Sequence, residues 1–264
     1  MPAFNSEKYI AEAIQSVLDQ DYENFELLII NDGSVDNTEN EIRRFTDSRI
    51  RYFKQENRGV SVARNVGLEN MDGDFFCFLD SDDKLPPNSL NSRLLIFEKN
   101  DNIEFVDGVV ELWDCTFHDL IETKKLNFSG NPFYALCQID NSCFFGPTWM
   151  IKRIAKKEYK FKEGLSHGED LLFYLTISKN GELYEASGDV VYQYRTGNES
   201  AMKDLDGLWN GYKSVYLELK NCYPQNRAIN NIFKRKITSI MIKSFLTKGQ
   251  IFRSLKVLYD FASL

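Results

Sequence analysis

Three carboxylates stand within four positions at Asp80-Ser81-Asp82-Asp83, directly after the apolar run 75–79. In an extended chain, residues i and i+2 point to the same side, so Asp80 and Asp82 can converge on one point. Converging carboxylates repel each other unless a cation sits between them. A hard divalent ion, Mg2+ or Mn2+, suits two oxygen ligands and leaves positions for phosphate oxygens. The competing reading is an acidic turn that caps the next helix, with Pro87 at its first position.

These carboxylates need elements to hold them. Ile10, Ala13, Ile14, Val17 and Leu18 follow the spacing of one helix face, with Asn5 or Ser6 as its cap. The run 25–30 reads as a strand, ended by a polar turn over 31–38 and followed by a helix from about 36 to 45. A short strand is expected over 50–53, and a helix opened by 57–65 runs to about 71. The strand 75–79 follows, its five apolar residues predicting burial on both faces. This alternation argues for an α/β fold with a mainly parallel sheet and right-handed crossovers. Such sheets bind ligands beyond the carboxyl ends of their strands. Further on, a helix is expected to about 99, strands near 103–112 and 118–124, and a helix near 148–157. Another helix is expected over 169–179, then strands over 183–185 and 190–194. From 205 onward the periodicity is helical only, as in Ile229, Phe233, Ile237, Ile240 and Met241. The expected organisation is one domain over 1–204 and a helical extension over 205–264.

At 264 residues, 43% hydrophobic and 27% charged, the chain has the composition of a globular protein. It has no apolar run near 18 residues and no charged-then-apolar leader. Five cysteines at irregular spacing predict reduced thiols and a cytoplasmic setting. Two histidines and no C-x-x-C pair argue against zinc. His167-Gly168-Glu169 matches half of a zinc deaminase signature, but the P-C-x-x-C half is missing. The net charge is −7, yet 227–264 carries eight Lys/Arg against the single acid Asp260. The acidic remainder excludes nucleic acid as a partner. The basic end suits an anionic membrane surface, at the inner face of the membrane.

No G-x-G-x-x-G turn, G-x-x-x-x-G-K-[ST] loop or G-x-S-x-G elbow occurs. Phosphate contact would therefore fall to metal and arginine. In a parallel sheet the polar strand ends 2–5, 31–34 and 80–83 lie on one edge. Phe4, Asp32, Arg64, Asp80 and Asp82 can then share a cleft, with Phe4 stacking on a base, Asp32 accepting from it and Arg64 meeting a phosphate. Taken singly, Asp32-Gly33-Ser34 is also a plain turn and Arg64 a solvated helix residue.

Four segments now carry a resemblance: Pro2-Ala3-Phe4-Asn5, Asn31-Asp32-Gly33-Ser34, Asn57-Arg58-Gly59-Val60-Ser61-Val62-Ala63-Arg64-Asn65 and Asp80-Ser81-Asp82-Asp83. In order and spacing they resemble the family 2 glycosyltransferases with the GT-A fold, over roughly residues 1–200. The resemblance implies a Rossmann-like sheet flanked by helices. It also implies an inverting transfer from a nucleotide-diphosphate sugar, a UDP-sugar above others, with Mn2+ or Mg2+. The acceptor it implies is a cell-surface saccharide or a lipid-linked one. By it, Pro2, Phe4 and Asp32 contact the base, and Asn5, Gly33, Ser34, Arg64, Asn65 and Ser81 complete the nucleotide-sugar site. Asp80 and Asp82 form the metal site. Gly168-Glu169-Asp170-Leu171-Leu172-Phe173 resembles the family's base element, with Asp170 as general base and Glu169 beside it. A carboxylate there can take the hydroxyl proton as that oxygen attacks. The plainer reading is a pair of favourable charges at a helix N-terminus. Arg195, after the late strand, is a further cation for the diphosphate.

The chain departs from that pattern in two places. Members usually carry a β-branched strand before the segment matched by Pro2. Asn31 stands where aspartate is common. No Gln-x-x-Arg-Trp segment occurs, which disfavours a processive synthase. The first departure motivates a second reading, a non-catalytic nucleotide-sugar or glycan-binding module. A nucleotidyltransferase is opposed by the lack of a Gly-rich N-terminal loop. Acceptor contacts are expected from 105–165, where Trp113, Phe117, Phe144, Phe145 and Trp149 can stack on sugars or fill the core.

Overall fold

The computed structural model describes residues 1–144, 146–197 and 203–263. In chain order the strands are β1 (Pro2–Ala3), β2 (Leu27–Asp32), β3 (Ile50–Gln55), β4 (Phe75–Cys77), β5 (Ile103–Trp113), β6 (Leu120–Lys124), β7 (Ser129–Gly130), β8 (Met150–Lys152) and β9 (Leu183–Arg195). The helices are α1 (Ile10–Leu18), α2 (Thr38–Arg43), α3 (Val60–Asn70), α4 (Ser89–Lys99), α5 (Phe133–Cys137), α6 (Glu169–Ile177), α7 (Leu205–Cys222), α8 (Arg227–Thr247) and α9 (Ile251–Ser263). This is the expected α/β architecture with helices at the C-terminal end.

Two sheets carry it. β1, β2 and β3 are parallel, with Pro2 opposite Ile30 and Leu27 opposite Ile50. The second sheet runs β4-β8-β5-β9-β7, with β6 on β5. Its longest pairing, β5 on β9, is parallel, while β8 is antiparallel to β4 and to β5. Hydrophobic periodicity places the apolar residues of α1 correctly: Ile10, Ala13, Ile14 and Val17 are all buried.

Several expectations are corrected. The strand expected over 75–79 is only Phe75–Cys77, and its residues are half-buried rather than closed on both faces. It pairs with β8 alone among the described residues, and not with β1. β1 is two residues long and pairs with β2. The helix expected near 148–157 is instead β8. Trp149, Met150 and Ile151 are buried, and Ile151 pairs with both Phe76 and Phe105. Sheet pairing on two edges outweighs the local helical pattern there. The strands 183–185 and 190–194 are one strand, β9, with register irregularities against β5 around Asp107–Val110. Neither Asn5 nor Ser6 caps α1 by its side chain. The Asn5 carboxamide accepts instead from Val35 N, and Ser6 Oγ pairs with Ser81 Oγ. Nor do the carboxylates at 80–83 cap α4, whose N-cap is Asn88.

The C-terminal helices pack into the same apolar cluster as the middle of the chain. Trp209, Val215, Phe233 and Met241 share it with Phe105, Trp149 and Phe173. Trp149 stacks on Tyr174 with ring centroids 4.1 Å apart. Its ring is therefore core, and Phe145 lies outside the described residues.

Candidate functional site

Arg64 is the centre of the site. Gly59, at φ +90°, turns the chain into α3, and one turn further Arg64 is 4% exposed. A buried guanidinium needs anions around it, and three meet it. Its Nη2 lies 2.9 Å from Asp80 Oδ1, and its Nη1 lies 2.5 Å from Asp170 Oδ1 and 3.5 Å from Glu169 Oε1. Four residues from three distant stretches thus form one cluster, and the plain reading of Arg64 as a solvated residue is corrected. The charges do not balance. Burial, together with Glu169 and Asp80, outweighs Arg64 and pushes Asp170 up to about 7.

The 80–83 turn is bolted to the end of β9. Asp83 is buried, and its Oδ1 accepts from Arg195 N at 2.7 Å while its Oδ2 accepts from the Tyr192 hydroxyl at 2.8 Å. Tyr192 Oη also accepts from Asp80 N at 3.2 Å. Burial first, and then Asp82 and Asp80, hold the Asp83 carboxyl well above its ordinary range. Arg195 is not free to meet a diphosphate. Its Nε donates to Asp82 O, its Nη1 to Cys115 O and its Nη2 to Glu12 Oε2. Its guanidinium lies between the rings of Tyr9 and Phe117, 4.1 and 4.2 Å from their centroids. It shapes the turn that carries Asp82. Asp83 and Tyr192 were missed as site residues by sequence reasoning. Asp83 stood in the motif, but nothing in the sequence pairs it with a tyrosine 109 residues away.

The other strand ends also meet. Asn5 N donates to Ser34 Oγ, and Ser34 N donates to Asn31 Oδ1. Gly33 has φ +74°, and a Cβ there would lie 2.6 Å from Asn57 N, so only glycine lets the 57–59 loop approach. That loop is held by Asp32, whose Oδ1 accepts from Gln55 Nε2 and Arg58 N and whose Oδ2 accepts from Gly59 N. Asn65 faces away from these ends and clamps Phe161 N and O. Pro2 is buried in β1, whereas the Phe4 ring is 49% exposed and can stack on a planar ligand.

Asp170 is positioned by the C-terminal helices. Gly168, at φ +76°, starts α6, and the preceding His167 packs on α7 where Gly207 and Gly211 leave room. A Cβ at Gly211 would lie 2.3 Å from His167 O.

The residues fit a divalent cation chemically. Asp80 and Asp82 are hard oxygen ligands on one turn, and carboxylates outnumber the guanidinium at the cluster. Among the described residues no group of three or more His, Cys, Asp or Glu forms a ready cage. Asp80 and Asp82 would therefore hold the ion together with oxygens of a bound phosphate.

A family model described as Glycosyl transferase family 2 matches residues 1–159. Among curated proteins, the Escherichia coli enzyme named UDP-Glc:alpha-D-GlcNAc-diphosphoundecaprenol beta-1,3-glucosyltransferase WfgD is 32% identical over 218 residues, 80% of this chain and 82% of that one. Several Rickettsia glycosyltransferases also match, and the chain spans about a third of their length. Among solved structures, S. aureus TarS 1–349 in complex with UDP-GlcNAc superposes with a TM-score of 0.71 at 19% identity, covering 98% of this chain and 78% of that one. A mannosyltransferase, PcManGT from Pyrobaculum calidifontis in complex with GDP-Man and Mn2+, gives 0.65 at 15% identity, covering 99% and 78%.

Proposed function

We propose, for a chain that belongs to glycosyltransferase family 2, an inverting, metal-dependent transfer of one sugar from a UDP-sugar to a hydroxyl of a saccharide or lipid-linked acceptor of the cell envelope. The observation that carries this reading is the cluster in which Arg64 holds Asp80 and Asp170 together. It sets a candidate metal ligand and a candidate base on opposite sides of one guanidinium. The UDP-sugar and the lipid-linked acceptor are supported by the name of the E. coli relative, and the ion by the Mn2+ complex of the archaeal neighbour.

In this reading Phe4 stacks on the base, and the 31–34 turn and the 57–59 loop shape its pocket. Asp80 and Asp82 would hold the cation, whose chemistry when bound would be to offset charge on the departing diphosphate. The acceptor oxygen attacks the anomeric carbon on the face opposite the bond to the diphosphate. As that bond breaks, the hydroxyl proton passes to the Asp170 carboxylate. A base raised to about 7 is matched to that task near neutral pH. Residues 1–204 form the catalytic unit in this proposal and 205–264 a helical extension.

Calorimetric titration of nucleotides and nucleotide sugars, with and without Mn2+, tests it. Mn2+-dependent binding of a uridine nucleotide that Asp82→Ala abolishes is the expected result. Equal binding by both proteins, or none by either, would sink the donor-site assignment.

The same reading places the protein in the cytoplasm, peripheral at the membrane's inner face. No helix among the described residues is long and apolar enough to cross a membrane. On α9, Ile251, Phe252, Leu255, Leu258 and Tyr259 are exposed along one face, while Val257 is buried. With the exposed Lys256 at its edge, that face suits an anionic bilayer. Phe252→Glu should abolish co-sedimentation with phosphatidylglycerol vesicles. Binding that ignores anionic lipid content counts against the contact.

A further inference from the structure

β5 and β9 run parallel and end side by side, β5 on Trp113 and β9 on Arg195. Ligands of such sheets gather beyond the carboxyl ends of parallel strands. Residues paired across a ladder share a face of the sheet. Glu111 is paired with Gln193, Trp113 with Arg195, and Lys84 with Gln193 from the other side, so these side chains leave on one surface. That surface borders the metal turn. Lys84 follows Asp83 directly, and Arg195 Nε donates to Asp82 O at 2.7 Å.

Three of these side chains form a flat polar array. Glu111 Oε2 accepts from Trp113 Nε1 and from Gln193 Nε2, each at 3.0 Å, which fixes the indole and the carboxamide. Glu111 Oε1 and Gln193 Oε1 accept from no group among the described residues, and Glu111 has no ion-pair partner there. All three residues are half-buried, so each still reaches the surface. A pyranose carries C–H groups on its ring faces and hydroxyls around its rim. An aromatic ring beside a carboxylate and an amide oxygen matches both, the ring by stacking and the oxygens by accepting from hydroxyls.

The turn that follows Trp113 is held in a costly conformation. Phe117 has φ +56°, where a bulky side chain is a backbone outlier. Asp114 keeps it there: its carboxylate accepts from Thr116 N, His118 N and Asp119 N, and its carbonyl accepts from Phe117 N. The Phe117 ring is thereby set 6.1 Å from that of Trp113 and tilted 30° to it, extending the aromatic surface. Strain kept beside a cleft points to use. Lys84 Nζ and the Arg195 guanidinium lie 4.3 and 4.2 Å from the Phe117 ring, and both pair with Glu12. Glu111 is then the uncompensated charge on this surface, which opposes an anionic ligand.

We infer that Glu111, Trp113 and Gln193 form a subsite for a neutral pyranose, the sugar of the acceptor. The acceptor role rests on the transferase reading, whereas the binding of a neutral sugar does not. Saturation-transfer NMR on the whole protein tests it, with the methyl glycosides of glucose, galactose and N-acetylglucosamine as probes and that of glucuronic acid as the charged control. At least one neutral glycoside should bind saturably, and its Kd should rise by about tenfold or more in Trp113→Ala and in Glu111→Ala. Binding of UDP with Mn2+ should be unchanged in both variants, because the 80–83 turn is held by Tyr192 and Arg195. No saturable binding of any neutral probe, equal affinity for the glucuronide, or affinity kept by both variants overturns the subsite. If Trp113→Ala does not fold, Gln193→Ala takes its place and should weaken the glycoside in the same way. Donor binding without glycoside binding sinks the subsite alone, and glycoside binding without donor binding sinks the transferase reading alone.

Discussion

Arg64 and Asp170, 106 residues apart in the chain, meet at 2.5 Å, and the other arm of the same guanidinium holds Asp80. Asp170 therefore sits where its charge is contested, favoured by the arginine and opposed by burial and two neighbouring carboxylates. As a base it works only when deprotonated. Asp170→Asn should lower kcat by about a hundredfold or more while leaving nucleotide affinity nearly unchanged. In the wild type kcat should rise with pH through about 7, and in the variant the residual rate should lose that step. A pH–rate profile of both proteins checks it. A variant with full turnover would remove Asp170 as the base, and binding without turnover in both proteins would favour the non-catalytic module.

Tyr192 ties the metal turn to β9 through one hydroxyl, which donates to Asp83 and accepts from Asp80 N. Tyr192→Phe keeps the ring and leaves the buried Asp83 carboxyl and the half-buried Asp80 N–H without that partner. The expected stability cost is about 1–3 kcal/mol. Mn2+ and nucleotide affinity should fall together, because Asp80 and Asp82 lose their support. Calorimetry beside denaturant unfolding separates the effects. Lost stability with unchanged metal affinity would make the tyrosine a packing residue only.

How much of this was legible in the sequence follows from the range of the interactions. Local pattern revealed α1, β2 and α3, because their apolar residues face a core the chain forms nearby. It failed at β8, where the buried Met150 and Ile151 pair with strands 44 or more positions upstream. The types and order of Asp32, Arg64, Asp80 and Asp170 were readable, but their connections were not. Arg195 looked like a free cation, and only the fold shows its three nitrogens committed to Asp82, Cys115 and Glu12. Likewise Asn65, adjacent to Arg64, points to Phe161, since successive helix positions face different directions.

Gly211 is remote from the motifs yet touches the loop that carries the base. Gly211→Ala on α7 would set a Cβ 2.3 Å from His167 O, and backbone cannot yield cheaply. Either α7 or the 167–170 loop must shift by about an ångström, and misplacement of that size can cost about a hundredfold in rate. The expected outcome is a fall in kcat with nucleotide binding kept, since the 31–34 turn is held by Asn5 and Asn31 and the 80–83 turn by Tyr192 and Arg195. An unchanged kcat would show that α7 gives way instead.

Asp107 offers a stability test outside the site. It is fully buried on β5, accepts from Thr148 Oγ1 at 2.6 Å and from Gly108 N at 2.9 Å, and has no ion-pair partner among the described residues. Burial outweighs those two bonds and Arg93, and raises its carboxyl from 3.8 to about 7. The folded protein thus holds a proton that the unfolded chain releases above 3.8. Between those two values the native state binds more protons, so Asp107 makes stability fall as pH rises from about 4 to 7. Above 7 the carboxylate is ionised in both states and the loss is complete. Asp107→Asn keeps the shape, accepts from Gly108 N and donates to Thr148, and it carries no charge. It should match the wild type near pH 4 and be the more stable protein at pH 8. Denaturant melts at the two pH values decide the matter. A variant less stable than the wild type at pH 8 would mean that the charge, not the shape, is what this strand requires.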